Sequence, residues 1–177
     1  HSVMEDSFYD GILAWGGPVK VVSSVFTGID RAVCAHPGSV VEVVNGTLED
    51  NRVGLLIHGG EMRTTNSIVA NSFTAGILHD YGPDALAIKS SDIWNPKATD
   101  GNYSGIADQT GRNGVVSVDP KFKDAARRNY RLNYLSPCID AADGVAAPAT
   151  DLMGAPRYDD PRTSNTGTVA ANGAFAD

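Results

Sequence analysis

The feature that most constrains this chain is a repeat of about 21–22 residues. Four short segments share one pattern, a small residue followed by apolar ones, and they start at positions 11, 32, 54 and 76. They are Gly11–Ala14, Ala32–Ala35, Gly54–Ile57 and Gly76–His79. A glycine or proline turn signal follows each segment. Self-similarity at this period indicates a stack of small structural units.

Each repeat contains two further apolar stretches. The second alternates apolar and polar residues, as a half-buried strand does, at Val19–Val21, Val41–Val43, Met62–Thr64 and Leu86–Ile88. The third lies at Val25–Phe26, Thr47–Leu48, Ile68–Val69 and Ile93–Trp94. No helical periodicity is present. The sequence therefore predicts an all-β solenoid with three short strands per rung and about 4–5 rungs. Stacking should place Val33, Leu55 and Ile77 in one interior column.

The repeat also suggests how the chain is organised. We expect solenoid rungs over residues 1–115, with a long polar and glycine-rich loop near 96–115. Residues 116–177 lack the repeat, and we expect them to form an irregular C-terminal cap packed on the solenoid. The first residues already resemble a rung, so we expect the N-terminal side of this chain to carry no cap of its own. This predicts either a fragment of a longer protein or end-to-end self-association through the uncapped N-terminal rung.

Several segments carry a family resemblance. They are Asn45–Leu48 and Asn66–Asn71 in the repeats, and Val118–Phe122, Asn129–Leu132, Ser136–Asp140 and Asp151–Arg157 in the tail. The chain resembles the C-terminal portion of a right-handed parallel β-helix of the pectate-lyase-like superfamily, from its bacterial secreted branch. The resemblance implies a right-handed parallel β-helix, an extracellular or cell-surface location and polysaccharide as a partner. No signal peptide is visible in this chain.

Charge and cysteine content limit the classes of partner. The chain has 21 acidic and 14 basic residues, a net charge of −7. This balance argues against nucleic acid and disfavours an anionic membrane surface. No apolar run approaches the roughly 20 residues that span a bilayer. The two cysteines, Cys34 and Cys138, are too few for a disulfide framework, and we favour free thiols over a bridge.

Stacking also predicts two outward ladders of side chains. The first is apolar and comprises Leu13, Cys34, Leu56 and Leu78. Such a ladder needs a cover, and we expect the tail (Tyr130, Leu132, Tyr134, Leu135) to supply it, with a partner subunit as the alternative. The second comprises Lys20, Glu42, Arg63 and Ala87. It is either a solvated charged face or a substrate-binding strip in which Lys20 and Arg63 contact a carbohydrate.

The set of residues that most strongly suggests a functional site comes one position after the first strand of each rung. It consists of Trp15, His36, His58 and Asp80, which should stack about 5 Å apart. His36, His58 and Asp80 could bind a divalent metal. Alternatively, His58 and Asp80 could form a catalytic acid–base pair beside Trp15 as an aromatic platform for sugar. The third interpretation is that all four are merely aligned turn residues.

Two functions follow from these observations. The first is a carbohydrate-associated domain of an exported bacterial protein, which binds polysaccharide or cleaves it as a lyase or hydrolase does. The second is a non-catalytic structural or adhesive module, such as a segment of a surface protein or phage-tail rod. Fold alone does not separate them, and the sequence leaves open whether the protein is an enzyme.

Overall fold

A computed structural model describes residues 2–83 and 85–169, and their regular secondary structure consists almost entirely of short strands. In chain order these are β1 (Ser2–Glu5), β2 (Asp10–Ala14), β3 (Gly17–Val22), β4 (Ser24–Thr27), β5 (Arg31–Ala35), β6 (Ser39–Val44), β7 (Thr47–Glu49), β8 (Val53–His58), β9 (Glu61–Thr65), β10 (Ile68–Ala70), β11 (Ala75–Tyr81), β12 (Leu86–Lys89), β13 (Asp92–Trp94), β14 (Tyr103–Ser104), β15 (Phe122–Asp124) and β16 (Asn129–Leu132). One 3-10 turn, Ala125–Arg127, separates the last two. None of the described residues belongs to a helix that is long and apolar enough to cross a membrane.

Strands β1 to β14 form three parallel sheets. Each of the first four coils contributes one strand to each sheet, and the last coil adds β13 and β14 but no strand to sheet C. Sheet A has the order β1-β4-β7-β10-β13, sheet B the order β2-β5-β8-β11-β14, and sheet C the order β3-β6-β9-β12. β1, β2 and β3 stand at one edge of the three sheets. The prediction of an all-β parallel solenoid with three strands per rung is confirmed.

The interior column of the solenoid has the predicted register. Val33 is the register partner of both Ile12 and Leu55, and Leu55 is in turn the partner of Ile77. Val33, Leu55 and Ile77 are fully buried, as is Met62 from sheet C. Burial of side chains of this kind contributes roughly 1.5–3 kcal/mol each, so the column is a main source of stability.

A single residue in the left-handed backbone conformation turns the chain from sheet C into sheet A. These residues are Ser23, Asn45, Asn66 and Ser90, and Asn113 repeats the conformation next to Ser90, with φ between 44° and 53°. Asparagine adopts this conformation more readily than most residues because its side chain hydrogen-bonds locally. A serine follows three of them, and the Ser67 hydroxyl accepts from Gly46 N–H and donates to the Thr65 carbonyl. The corner is thus a ladder of hydrogen bonds between rungs.

The predicted loop near 96–115 continues the coil for part of its length. β14 pairs with β11, with Tyr103 opposite Ile77. Val116 then forms a parallel bridge with Asp92 of β13. The buried Asn95 side chain supports this part, because its carbonyl accepts from Ser72 N–H and its amide donates to the Val69 carbonyl.

The tail lies across sheet A and reaches from the last rung to the first. Val118 N–H donates to Asp92 in the last rung. The antiparallel hairpin of β15 and β16 follows. Next to it, the Arg128 guanidinium binds Glu5 at 2.5 Å and Asp6 at 2.6 Å in the first rung. The Tyr130 hydroxyl lies 2.7 Å from the Thr27 hydroxyl of β4.

The tail then returns to the corner between sheets C and A. Asp143 is held there by the Asn66 side chain, which donates to its carbonyl at 2.8 Å and accepts from its N–H at 2.7 Å. Lys89 pairs with the Asp143 carboxylate at 2.5 Å. This arrangement encloses a cleft of about 1040 Å³ between the tail and the corner.

The prediction that the tail covers the apolar ladder is therefore wrong. The tail packs on sheet A, whereas Leu13, Cys34, Leu56 and Leu78 lie on sheet B. Cys34 and Leu56 are nonetheless buried, in a cluster with Val53, and Leu13 is 48% exposed. Beside Cys34, Asp10 accepts from its thiol and pairs with Arg31, so neighbouring side chains of the same sheet form the cover. Cys34 and Cys138 are both free thiols, as predicted.

Candidate functional site

Four aromatic rings from four successive rungs form a continuous stack, which we call the ring column. It consists of Trp15, His36, His58 and Tyr81, at the carboxyl ends of the sheet B strands. Neighbouring ring centroids lie 4.2, 4.8 and 5.1 Å apart. The first and last contacts are nearly parallel stacks, with interplanar angles of 25° and 30°. The sequence repeat thus brings Trp15, His36 and His58 together as predicted.

The fourth member of the column differs from the prediction. The register between β8 and β11 shifts after His79, so that Tyr81, and not Asp80, is the partner of His58. Asp80 instead accepts a hydrogen bond from His58 Nδ1 at 2.8 Å. One extra residue in β11 therefore adds an aromatic ring to the column and places the carboxylate beside it. His79 lies opposite Ile57, and its Nδ1 is 3.1 Å from the Gly105 carbonyl oxygen.

A glycine makes room for Tyr81. Gly59 follows His58 directly and has a φ of +77°, a conformation that glycine adopts without strain. A Cβ at this position would lie 3.1 Å from Cδ1 of Tyr81 and 3.1 Å from Cγ of Pro37. The absence of a side chain at residue 59 therefore lets the Tyr81 ring pack closely against the turn.

His36 is enclosed inside the column. Its ring is stacked between Trp15 and His58, and both of its nitrogens are inaccessible and lack a hydrogen-bond partner. Burial lowers the pKa of His36, and the neighbouring His58 lowers it further. Both effects favour the neutral imidazole, because a charged ring would lose hydration without gaining a counter-ion.

The geometry does not support the predicted metal site. Across residues 2–83 and 85–169, no three His, Cys, Asp or Glu side chains are grouped so that they could hold a metal ion. His36, His58 and Asp80 are neighbours, but the His36 nitrogens are enclosed and His58 Nδ1 is bound to Asp80. The three side chains therefore do not converge on a common point as metal ligands must.

Lys20 and Arg63 lie away from the ring column, on sheet C. The predicted ladder is present, because Glu42 is the register partner of both Lys20 and Arg63. Lys20 pairs with Glu42 at 3.0 Å, and Arg63 pairs with Glu61 at 2.5 Å. These pairs are exposed and form a charged face, so the structure does not gather these two cations with Trp15, His58 and Asp80.

The column exposes its two ends and one polar edge. Trp15 is 64% exposed and Tyr81 is 60% exposed, so both side chains present aromatic surface to solvent. The inner ring faces are covered by their neighbours, so the free ring faces belong to the end members. Between these ends, the side chains of His58 and Asp80 are 36% and 44% exposed. The site can therefore combine stacking on an apolar surface with hydrogen bonding.

Two buried carboxyl groups lie apart from the ring column, on sheet A. Burial raises the pKa of Glu49 to about 7, although the amide of Asn71 donates to it at 2.9 Å. Burial also raises the pKa of Asp92 to about 6, and Asp92 accepts from Val118 N–H and from the Cys138 thiol. The bonds of Asp92 to Val118 and Cys138 join the last rung to the tail.

Sequence reasoning missed Tyr81 and the cleft beside the tail. Tyr81 is the direct neighbour of the predicted site residue Asp80, and this position was the available signal. The repeat spacing did not indicate that β11 contains one extra residue. Comparison of the chain with protein-family models, with curated proteins and with solved structures found no match. The function is therefore inferred from the geometry of the site.

Proposed function

We propose that this protein is a glycan-binding β-solenoid module that holds a polysaccharide against the ring column. The rungs would supply a rigid support, and Trp15 and Tyr81 would supply the surfaces on which sugar rings stack. His58 and Asp80 would hydrogen-bond to sugar hydroxyl groups between them. We also propose that the protein is located outside the cell or on the cell surface, because structural polysaccharides occur there.

The observation that carries the proposal is the exposure of Trp15 and Tyr81 at the two ends of one column. Aromatic rings of this size normally bury most of their surface, and exposed ones mark binding sites when they occur together. Tryptophan and tyrosine combine an apolar face with a polar atom, which suits a ligand whose ring faces are apolar and whose edges carry hydroxyl groups.

The polar edge adds directional contacts. Asp80 is hydrogen-bonded to His58, and this bond fixes the orientation of both side chains at the surface. A carboxylate offers four lone-pair sites and uses one for His58, so Asp80 can accept from sugar hydroxyl groups. The resemblance of the repeats to pectate-lyase-like β-helix proteins favours a polysaccharide over other ligands with hydroxyl groups.

The direct test is binding to a panel of neutral, acidic and amine-bearing polysaccharides, measured by calorimetry and by pull-down with insoluble polymers. We expect at least one polymer to bind. Trp15→Ala and Tyr81→Ala should each weaken that binding about tenfold, or about 1.4 kcal/mol. The matched control is Phe73→Ala, because Phe73 is also exposed but precedes β11, at the opposite end of that strand from Tyr81. An equal loss of affinity in the control variant would show that the ring column is not the binding site.

The same samples test whether the protein is an enzyme. A His–carboxylate pair is a common form of general base, in which the carboxylate orients the imidazole. Release of reducing ends or of unsaturated products from a bound polymer, abolished in His58→Ala and Asp80→Asn, would give the pair a catalytic role. Binding of a polymer without release of product would indicate a binding module without catalytic activity.

A structural or adhesive module is the second candidate, and the close stacking of the ring column favours it. Each ring contacts its neighbour in the next rung, and such contacts stabilise aromatic pairs by about 0.5–1.5 kcal/mol without any ligand. This alternative predicts that Trp15→Ala lowers the melting temperature while no polysaccharide binds. The binding panel and a thermal melt of the same variant separate the two candidates.

A further inference from the structure

The charges around the ring column restrict which class of glycan can bind there. Asp80 is a half-exposed carboxylate at the column, and His58 is its hydrogen-bond partner. Within residues 2–83 and 85–169, no lysine or arginine forms an ion pair with Asp80. When His58 is neutral, the column therefore carries an uncompensated negative charge.

Two arginines at the amino-terminal side of the sheet B strands are already bound to carboxylates. On sheet B, Arg31 makes two hydrogen bonds to Asp10, at 2.5 and 3.0 Å. Arg52 makes an equivalent pair of contacts with Asp30. A carboxylated sugar at the column would thus meet Asp80 without a free guanidinium to offset the repulsion, and desolvation of both groups would add to the penalty.

A positively charged group fits the same place. The faces of tryptophan and tyrosine rings carry a partial negative charge and attract a cation within about 6 Å of the ring centre. Tyr81 follows Asp80 directly in β11, so an ammonium group bound by Asp80 would lie beside this ring. The net charge of −7 also draws a cationic polymer towards the protein from a distance.

We propose that the glycan held at the ring column bears amino groups, and that Asp80 binds their positive charge while Tyr81 and Trp15 stack on the sugar rings. This inference rests on the proposed glycan-binding function and specifies its ligand class. An N-acetylated sugar of the same backbone keeps the ring and the hydroxyl groups but lacks the charge, so the pair of ligands isolates the contribution of Asp80.

The test compares oligosaccharides of glucosamine and of N-acetylglucosamine with equal length, by calorimetry at neutral pH and at two salt concentrations. We expect the amine form to bind at least tenfold more tightly, and the difference to shrink at high salt. Asp80→Asn should weaken binding of the amine form about tenfold and change binding of the acetylated form less than twofold. The asparagine can keep a hydrogen bond to His58, and a thermal melt verifies the fold of the variant.

The matched control is Asp100→Asn. Asp100 is exposed, and its N–H donates to the Thr74 carbonyl before β11, at the opposite end of that strand from the ring column. Removing its charge should leave both affinities unchanged, which excludes an effect of net charge alone. Equal affinity for the two oligosaccharides, or an Asp80→Asn variant that binds the amine form normally, would overturn the inference. If acetylated or neutral glycans then still bind and depend on Trp15, the glycan-binding function stands without it.

Discussion

His58 donates from Nδ1 to Asp80 across 2.8 Å, although the ring stacked on His58 belongs to Tyr81. Two consecutive residues of β11 therefore contact the same imidazole in different ways. A regular strand would send Asp80 and Tyr81 to opposite faces of the sheet. The register shift after His79 brings both to the outer face, and so combines a carboxylate and an aromatic ring at one surface.

Replacing His36 by phenylalanine should stabilise the protein. Phenylalanine keeps a ring between Trp15 and His58 but removes two enclosed nitrogens that lack partners. An unsatisfied buried polar group costs about 1–3 kcal/mol, so we expect the free energy of unfolding to rise by about 1 kcal/mol or more. Urea denaturation at neutral pH measures the difference. A lower stability of His36→Phe than of the wild type would show that the imidazole itself is needed.

The same variant should also change the pH dependence of stability. The pKa of His36 lies below its ordinary value of 6.5 in the folded protein. The unfolded chain therefore takes up a proton first as pH falls, and the free energy of unfolding decreases below pH 6.5. His36→Phe lacks this contribution, so its advantage over the wild type should grow between pH 7 and lower pH. A constant difference across this range would contradict the prediction.

Glu49 should give the opposite pH dependence. Its pKa rises from 4.5 to about 7 on folding, so the folded state holds a proton that the unfolded chain releases. Stability is therefore full below pH 4.5 and falls as pH rises towards 7. Glu49→Gln keeps the bond from Asn71 and should remove a loss of about 3 kcal/mol. Denaturation curves across this range test it, with Glu42→Gln on the exposed face as the control.

Asn66→Gly should release the tail from the corner of the solenoid. Glycine adopts the left-handed conformation of residue 66, but it lacks the amide that holds the backbone of Asp143. Hydrogen exchange should increase around residues 140–146 and change little in β5 and β8. Asn113→Gly is the matched control, because Asn113 has the same conformation with an exposed side chain. Equal exchange in both variants would mean that other contacts hold the tail.

Gly59→Ala should disturb the ring column more than Gly101→Ala. Both positions have a positive φ, +77° and +80°, so both alanines carry a similar backbone strain of about 1 kcal/mol. Only at residue 59 does the added methyl meet Tyr81 and Pro37, whereas nothing lies within 4 Å at residue 101. We expect Gly59→Ala to lower the melting temperature further and to weaken glycan binding. Matching melts and affinities for the two variants would show that Tyr81 is not displaced.

The repeat spacing sufficed to predict the interior of the solenoid. Val33, Leu55 and Ile77 share a column because each coil uses nearly the same number of residues, and that number is visible in the chain. The same spacing predicts that His36 stacks on His58. It does not predict the position of Asp80, because a bulge in β11 changes the count by one residue and leaves no mark in the local sequence.

The position of the tail could not be predicted in this way. Its contacts with the solenoid join residues such as Arg128 and Glu5, whose separation in the chain is not a feature of the repeat. The packing of an aperiodic segment depends on shape and on long-range pairing, so the apolar side chains of the tail were assigned to the wrong sheet. The turn between sheets C and A did carry a signal, because Asn45 and Asn66 occupy equivalent positions in adjacent rungs.

The pairing of Arg128 with Glu5 and Asp6 has a consequence for how the molecule comes apart. A simple solenoid is a one-dimensional array, in which each unit depends only on its immediate neighbours and fraying proceeds from a free end. Here the coil that contains Glu5 and Asp6 is tied to a segment more than a hundred residues away. Opening this coil must first break a long-range contact, so we expect the coils to be lost together and not one by one.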